Sequence, residues 1–196
     1  MVGATGNIGT VHAQLLAPDV KKLVLIGPDG SLPRLEELRA RILIAEPSGV
    51  EVVCSTEASS IKECCVVISA TNTARPLFRG QDFCPGPGIF LDVSVPSDLH
   101  PGCAEERSDI LFLKGGVVQL PKGKEGLSNL ELPGWHLPTG HVYACLAETL
   151  LLGLDEVERD FSCGPLVVED VRDILTLADR HGFVLGSIER VKGFGA

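Results

Sequence analysis

The sequence predicts an α/β protein built on a doubly wound, mostly parallel, Rossmann-type sheet, followed by two C-terminal helices. Three observations predict it. Short apolar runs suited to strands buried on both faces recur along the first 120 residues, at 22–26, 50–54, 65–70, 89–95 and 110–113. Helical periodicity stands between several of them, giving the strand–helix rhythm of this class. The chain also opens on Gly3-Ala-Thr-Gly6-Asn-Ile-Gly9, a glycine-rich turn of the type that leads from a strand into a helix.

Each element follows in order. Ile8, Val11 and Leu15 fall at i, i+3 and i+7 and mark one face of a helix that opens just after the glycine turn. A strand at Lys22–Ile26 runs into a turn through Gly27-Pro28-Asp29-Gly30, and Leu35, Leu38, Ile42 and Ala45 define the next helical face. The rhythm changes near residue 117. A loop from Pro121 to Gly140 carries Lys122, Lys124, Trp135 and several prolines and glycines, and its length suggests a functional segment. One helix is predicted from about Pro138 to Gly153 and a second from about Val167 to His181, with Gly182 as its C-cap. The tail 192–196 reads as frayed. This divides the chain into a nucleotide-binding-type domain, 1–137, and a helical segment, 138–196.

The first strand is incomplete. Only Met1 and Val2 precede Gly3, whereas a dinucleotide fold puts a full strand there, in the middle of the sheet. The sequence therefore reads as a piece of a longer protein, with an oligomer or a missing N-terminal domain expected to complete the sheet.

Composition narrows the function. With 17 Lys and Arg against 26 Asp and Glu the net charge is −9, which argues against a nucleic-acid or anionic-membrane surface. Hydrophobic residues make up 44 %, enough for a buried core, and no apolar run approaches a transmembrane span. Seven cysteines, an odd number without a C-x-x-C pair, argue against a disulfide framework and for a cytoplasmic setting. No paired Cys or His has metal-ligand spacing, so no metal is expected.

The glycine turn is a G-x-x-G-x-x-G variant of the dinucleotide fingerprint. Gly3, Thr5, Gly6, Asn7, Ile8 and Gly9 are candidate cofactor contacts, the glycines letting the backbone close on a pyrophosphate at a helix N-terminus. Asp29, twenty positions beyond Gly9, is a candidate ribose-binding acid, and an ordinary turn residue on the other reading. Ala70 and Thr71, in Ser69-Ala-Thr-Asn72, end a strand at the edge where open α/β sheets bind ligands; the alternative is a helix cap. Gly115 and Gly116 follow a strand and would let backbone approach a nicotinamide, or simply turn the chain. His141, Cys145 and Glu148 fall at i, i+4 and i+7, so one helical face would carry all three. Spacing leaves Cys145 either a nucleophile or a core thiol. Templates for short-chain dehydrogenases, serine hydrolases and Walker-type phosphate loops are absent.

Gly3–Gly9, Leu113-Lys-Gly-Gly-Val-Val118, Tyr143-Ala-Cys-Leu-Ala-Glu-Thr-Leu-Leu-Leu152 and Arg180-His-Gly-Phe183 together resemble the long-chain acyl-[acyl-carrier-protein] reductases of cyanobacterial type. Asp92-Val-Ser-Val-Pro-Ser-Asp98 is similar to a strand-end motif of the shikimate-dehydrogenase and glutamyl-tRNA-reductase group. The first resemblance implies reduction of a fatty acyl thioester, carried by acyl carrier protein or acyl-CoA, to an aldehyde by NADPH or NADH. It implies that Cys145 holds the acyl group as a thioester. The family's N-terminal substrate domain is absent here, and Pro28-Asp29 stands where the family has a basic residue, with Arg34 near enough to replace it. The alternatives are a dehydrogenase of the amino-acid or shikimate type, in which Cys145 is structural, and a truncated nucleotide-binding protein without catalysis.

Overall fold

The computed structural model describes residues 1–46, 49–123, 127–135 and 137–186. The expected tail 192–196 and Lys124 lie outside the described residues. The chain forms two compact units, one holding Met1–Lys114 and the other beginning at Gly115.

The first unit is a parallel α/β sheet of Rossmann type. Its strands are β1 (Lys22–Ile26), β2 (Glu51–Ser55), β3 (Val66–Ser69), β4 (Gly88–Asp92) and β5 (Ile110–Lys114). β1 pairs with β2, β3 with β4 and β4 with β5, all parallel. The two groups are joined by the first residues of the chain. Val2 bridges Ile26 on one side and Ser69 on the other, both parallel. The Val2 N–H donates to the Ile68 carbonyl at 2.8 Å, and the Ala70 N–H donates to the Val2 carbonyl at 3.1 Å. The spatial order is thus β2–β1–Val2–β3–β4–β5, with the Val2 bridge central, as the glycine turn requires.

Alternation along the strands separates two cores. Leu23 and Leu25 pack with Val52 against helix α1 (Asn7–Leu16) and helix α2 (Leu32–Ala45), where Ala13, Leu35, Leu38 and Ile42 are buried. Within α1 the face differs from the expected one. Val11 and Ala13 are buried, while Ile8 stands 47 % exposed beside the glycine turn.

Val24 and Ile26 point to the opposite core with Val67, Phe90 and Phe112. Among the described residues that face has no long helix. Between β2 and β3 lies a 3-10 segment, Ala58–Glu63, and between β4 and β5 only the four-residue helix α3 (Cys103–Glu106). Pro76, Pro85, Gly86 and Pro87 interrupt the β3–β4 connection, whose helical segment is the 3-10 turn Gly80–Asp82. Aromatic rings fill the space instead. Phe83 meets Phe90 and Phe112 edge to face at 5.2 and 5.4 Å, and Phe78 closes on Phe90 at 5.9 Å.

The second unit holds helix α4 (Ala144–Leu154) and helix α5 (Val168–His181), with a small antiparallel sheet that the sequence does not announce. Its strands are β6 (Val117–Gln119), β7 (His141–Tyr143) and β8 (Val184–Leu185), with β6 in the middle. Strands of two or three residues are too short for alternation to register. Leu120, Val142, Ala147, Leu151, Leu177 and Phe183 form its core, and Leu127, Leu130 and Leu132 of the expected loop pack on it. Gly182 caps α5 at φ 76°, as expected.

One correction bears on function. The helix expected from about Pro138 begins instead at Ala144, because 141–143 pair with β6. His141 is therefore a strand residue and shares no helical face with Cys145 and Glu148.

Candidate ligand-binding site

Two sets of residues meet at the carboxyl ends of the first unit's strands. The first is the glycine turn. Gly3 has φ 74°, and a Cβ there would stand 2.3 Å from the Ala70 carbonyl oxygen. A Cβ at Gly9 would stand 2.1 Å from the Gly3 carbonyl oxygen. Both positions are glycine because the backbone leaves no room.

Gly6 differs. It is the N-cap of α1 with φ −81°, it offers no side-chain cap, and its Cβ position meets only Gly3 O at 3.4 Å. Gly6, Asn7 and Ile8 are exposed. The first turn of α1 therefore opens outward with its positive dipole end uncovered by any side chain of residue 6. Arg34, from the first turn of α2, donates from Nη2 to the Thr5 carbonyl at 2.6 Å and brings a guanidinium to the same turn. Asp29 is exposed in the turn after β1.

The second set is a buried polar network. Asp98 accepts the hydroxyls of Ser69 at 2.6 Å, Thr71 at 2.7 Å, Ser94 at 2.6 Å and Thr73 at 3.3 Å. Asp92 accepts the N–H groups of Ser94 at 2.9 Å and Asp98 at 3.1 Å, and the Ser97 hydroxyl at 2.6 Å. The Thr71 N–H donates to Ser94 Oγ at 2.9 Å. Lys114 Nζ donates to the Ser94 carbonyl and stands 3.8 Å from Asp92. Burial pulls its ammonium below the usual lysine range, and Asp92 and then Asp98 pull it back.

Asp92 and Asp98 have no measurable solvent exposure, so a carboxylate there requires this density of donors. The network ties the ends of β3, β4 and β5 together. It fixes Ala70 and Thr71, and Ala70 is the residue whose carbonyl abuts Gly3. Thus Gly3, Thr5, Gly6, Ile8, Gly9, Ala70 and Thr71 are gathered in one unit. Asn7 begins α1 in the same turn.

Sequence reasoning reaches the Asp92–Asp98 motif and Arg34, but it gives no role to Ser69, Ser94, Asp98 or the Lys114 amine. The available signal is a serine ending an otherwise apolar strand, and two aspartates flanking Ser-Val-Pro-Ser.

The remaining candidates lie in the second unit. Gly116, at φ 75°, gives its carbonyl to the Ala144 N–H at 2.8 Å and so starts α4. Gly115 precedes it. His141 Nδ1 lies 3.1 Å from the Thr139 carbonyl oxygen, Glu148 accepts the Ser162 hydroxyl, and Cys145 is exposed. Each of the three is engaged with, or turned toward, different surroundings.

No family model matches the chain. The aminotransferase PigE of Serratia sp. (strain ATCC 39006) is 27 % identical over 187 residues, 94 % of this chain. The chain spans about a fifth (21 %) of that relative's length. This finding corrects the expectation drawn from the resemblance. The relative is named for amino-group transfer, so acyl-thioester reduction through Cys145, with NADPH or NADH as reductant and acyl carrier protein or acyl-CoA as donor, is withdrawn. The amino-acid or shikimate dehydrogenase and the truncated non-catalytic protein gain no support from it either. The chain is similar to part of an aminotransferase and carries a Rossmann-like α/β fold. Among the described residues no helix is long and apolar enough to cross a membrane.

Proposed function

We propose that this chain serves amino-group transfer as a ligand-binding α/β unit, holding a phosphate-bearing anion at the Gly3–Gly9 turn. The observation that carries this reading is Gly6. Neither its φ nor its packing calls for glycine, and it caps an outward-facing helix N-terminus beside Arg34. Close approach of an anion to that backbone is a physical reason for a residue without a side chain there. Thr5, Asn7 and Ile8 would line the same approach, Ala70 and Thr71 the strand ends beside it, and Asp29 a polar edge. The guanidinium supplies a local positive field in a chain whose net charge is −9.

The transfer step itself falls to none of the described residues. Pyridoxal-phosphate chemistry needs a lysine amine free to form an imine. Among the described lysines, Lys21, Lys22 and Lys62 stand at or before the amino ends of β1 and β3, the sheet edge opposite the Gly3–Gly9 turn, and Lys122 lies in the second unit. Lys114 is committed to the Ser94 carbonyl and Asp92. The described residues therefore do not fit that group. Seven unpaired cysteines support a cytoplasmic, reducing setting.

Calorimetric titration with pyrophosphate and with a nucleoside diphosphate tests the binding role. Wild type should bind, Gly6→Val should weaken binding at least about tenfold, and Arg34→Ala should weaken it by a similar factor that shrinks as salt rises. A folded wild type that binds neither probe, or variants that bind equally well, would overturn the reading.

A further inference from the structure

We propose that Cys65 and Cys84 form a redox modification site, in which the exposed Cys65 thiol takes up a small-molecule disulfide and the buried Cys84 resolves it into an intramolecular disulfide. The pairing follows from the sheet. Val66 is in register with Ile89 and the Ile89 N–H donates to the Cys65 carbonyl at 2.8 Å, which places Cys65 beside Gly88 on the neighbouring strand. Residues paired across parallel strands project to the same face, here the face of Val67 and Phe90.

Over that face, Cys84 Sγ lies 3.6 Å from where a Gly88 Cβ would stand. Gly88 has no side chain to stand between the Cys65 position and the Cys84 thiol. The segment holding Cys84 is pinned, because Arg107 donates to the carbonyls of Gly80 at 3.0 Å, Cys84 at 2.7 Å and Gly86 at 3.1 Å. Cys64 points elsewhere, its thiol donating to the Ser60 carbonyl at 3.7 Å. Cys65 is exposed and Cys84 is buried, the asymmetry expected of an attacking thiol and its resolving partner.

The electrons balance with a low-molecular-weight disulfide, RSSR, as the oxidant. The Cys65 thiolate attacks one sulfur, the RS–SR bond breaks, and one RSH leaves with the proton Cys65 has lost. Cys84, deprotonated, then attacks the Cys65 sulfur and expels the second RSH. Two cysteine thiols are oxidised to one disulfide and one RSSR is reduced to two RSH.

The test is to incubate the chain with oxidised glutathione at mildly alkaline pH, quench with an alkylating agent and map the disulfides by mass spectrometry. Wild type should yield one peptide pair joined through Cys65 and Cys84, lighter by two hydrogens and reversed by a dithiol. Cys84→Ser should instead accumulate a glutathione adduct on Cys65. Cys65→Ser should give neither, while the exposed Cys145 and Cys163 react as in wild type. Should Cys84→Ser not fold, wild type and Cys65→Ser suffice. A Cys64–Cys65 linkage, or adducts spread over Cys65, Cys145 and Cys163 without the Cys65–Cys84 pair, would overturn the proposal.

Discussion

Glycine at positions 3, 6 and 9 is one letter with two physical meanings. At Gly3 and Gly9 a methyl group would press on backbone carbonyl oxygens at 2.3 and 2.1 Å. The protein cannot relax that contact by turning a side chain. Gly9→Ala is therefore expected to cost about 3 kcal/mol of stability, the upper range for overpacking. Gly6→Ala, facing open space, should cost under about 1 kcal/mol, the scale of an altered N-cap. Denaturant melts of the two variants check this, and equal losses would contradict the distinction. The glycine pattern is legible in the sequence, but which glycine serves packing and which serves access is not. At Gly3 that depends on Ala70, sixty-seven positions further on, and at Gly9 on the fold of the turn that brings Gly3 O against it.

At the scale of elements, the C-terminus of α5 combines a local signal with a distant one. Gly182 sits at φ 76°, and its N–H returns to the Asp179 carbonyl at 3.3 Å. A Cβ there would meet only Pro121 at 3.5 Å, an ordinary contact, so Gly182→Ala should cost about 1 kcal/mol from backbone strain alone. A urea melt of that variant checks the figure, and a loss several times larger would mean that packing is also disturbed. The cap is readable in the sequence because it is local. The start of α4 is not, because His141, at helical spacing from Cys145 and Glu148, is held with Val142 and Tyr143 as a strand by β6. Pairing partners outrank periodicity here, so His141 is lost from the expected face while Cys145 and Glu148 stay three residues apart on α4.

At the scale of the whole molecule, each unit has an acidic group held ionised by a cationic neighbour. Asp109 in the first unit accepts both Arg107 Nε and Nη2 at 2.8 Å. Asp155 in the second accepts Arg180 Nη1 at 2.6 Å and lies 3.3 Å from His181 Nε2. The Arg107 bond lowers the Asp109 carboxyl below the ordinary carboxylate range, and the Arg180 bond followed by His181 does the same for Asp155. A carboxylate whose folded pKa lies below its unfolded one stabilises the fold above the unfolded value. That contribution is lost as pH falls through the folded one. The melting temperature of wild type should therefore fall more steeply between about pH 5 and pH 3 than that of Asp109→Asn/Asp155→Asn. Parallel curves would show that these pairs add nothing. Both carboxylates are well solvated, so the difference should be small and should shrink with added salt.

The sequence by itself determined the α/β class, the five strand positions, the central place of the segment before Gly3 and the glycine turn into α1. Those features rest on interactions among near neighbours, such as alternation, periodicity and backbone geometry, which leave a local trace. Tertiary structure alone decided the rest. It gathered Ser69, Thr71, Ser94 and Asp98 from two strand ends, set Arg34 against Thr5 and filled one sheet face with phenylalanine rings. It also placed His141 in a strand ahead of the helix of Cys145 and set Cys65 and Cys84 about Gly88. A buried carboxylate, a cation beside a turn or a pair of thiols is defined by what stands opposite it, and that is a product of strand order rather than of spacing along the chain.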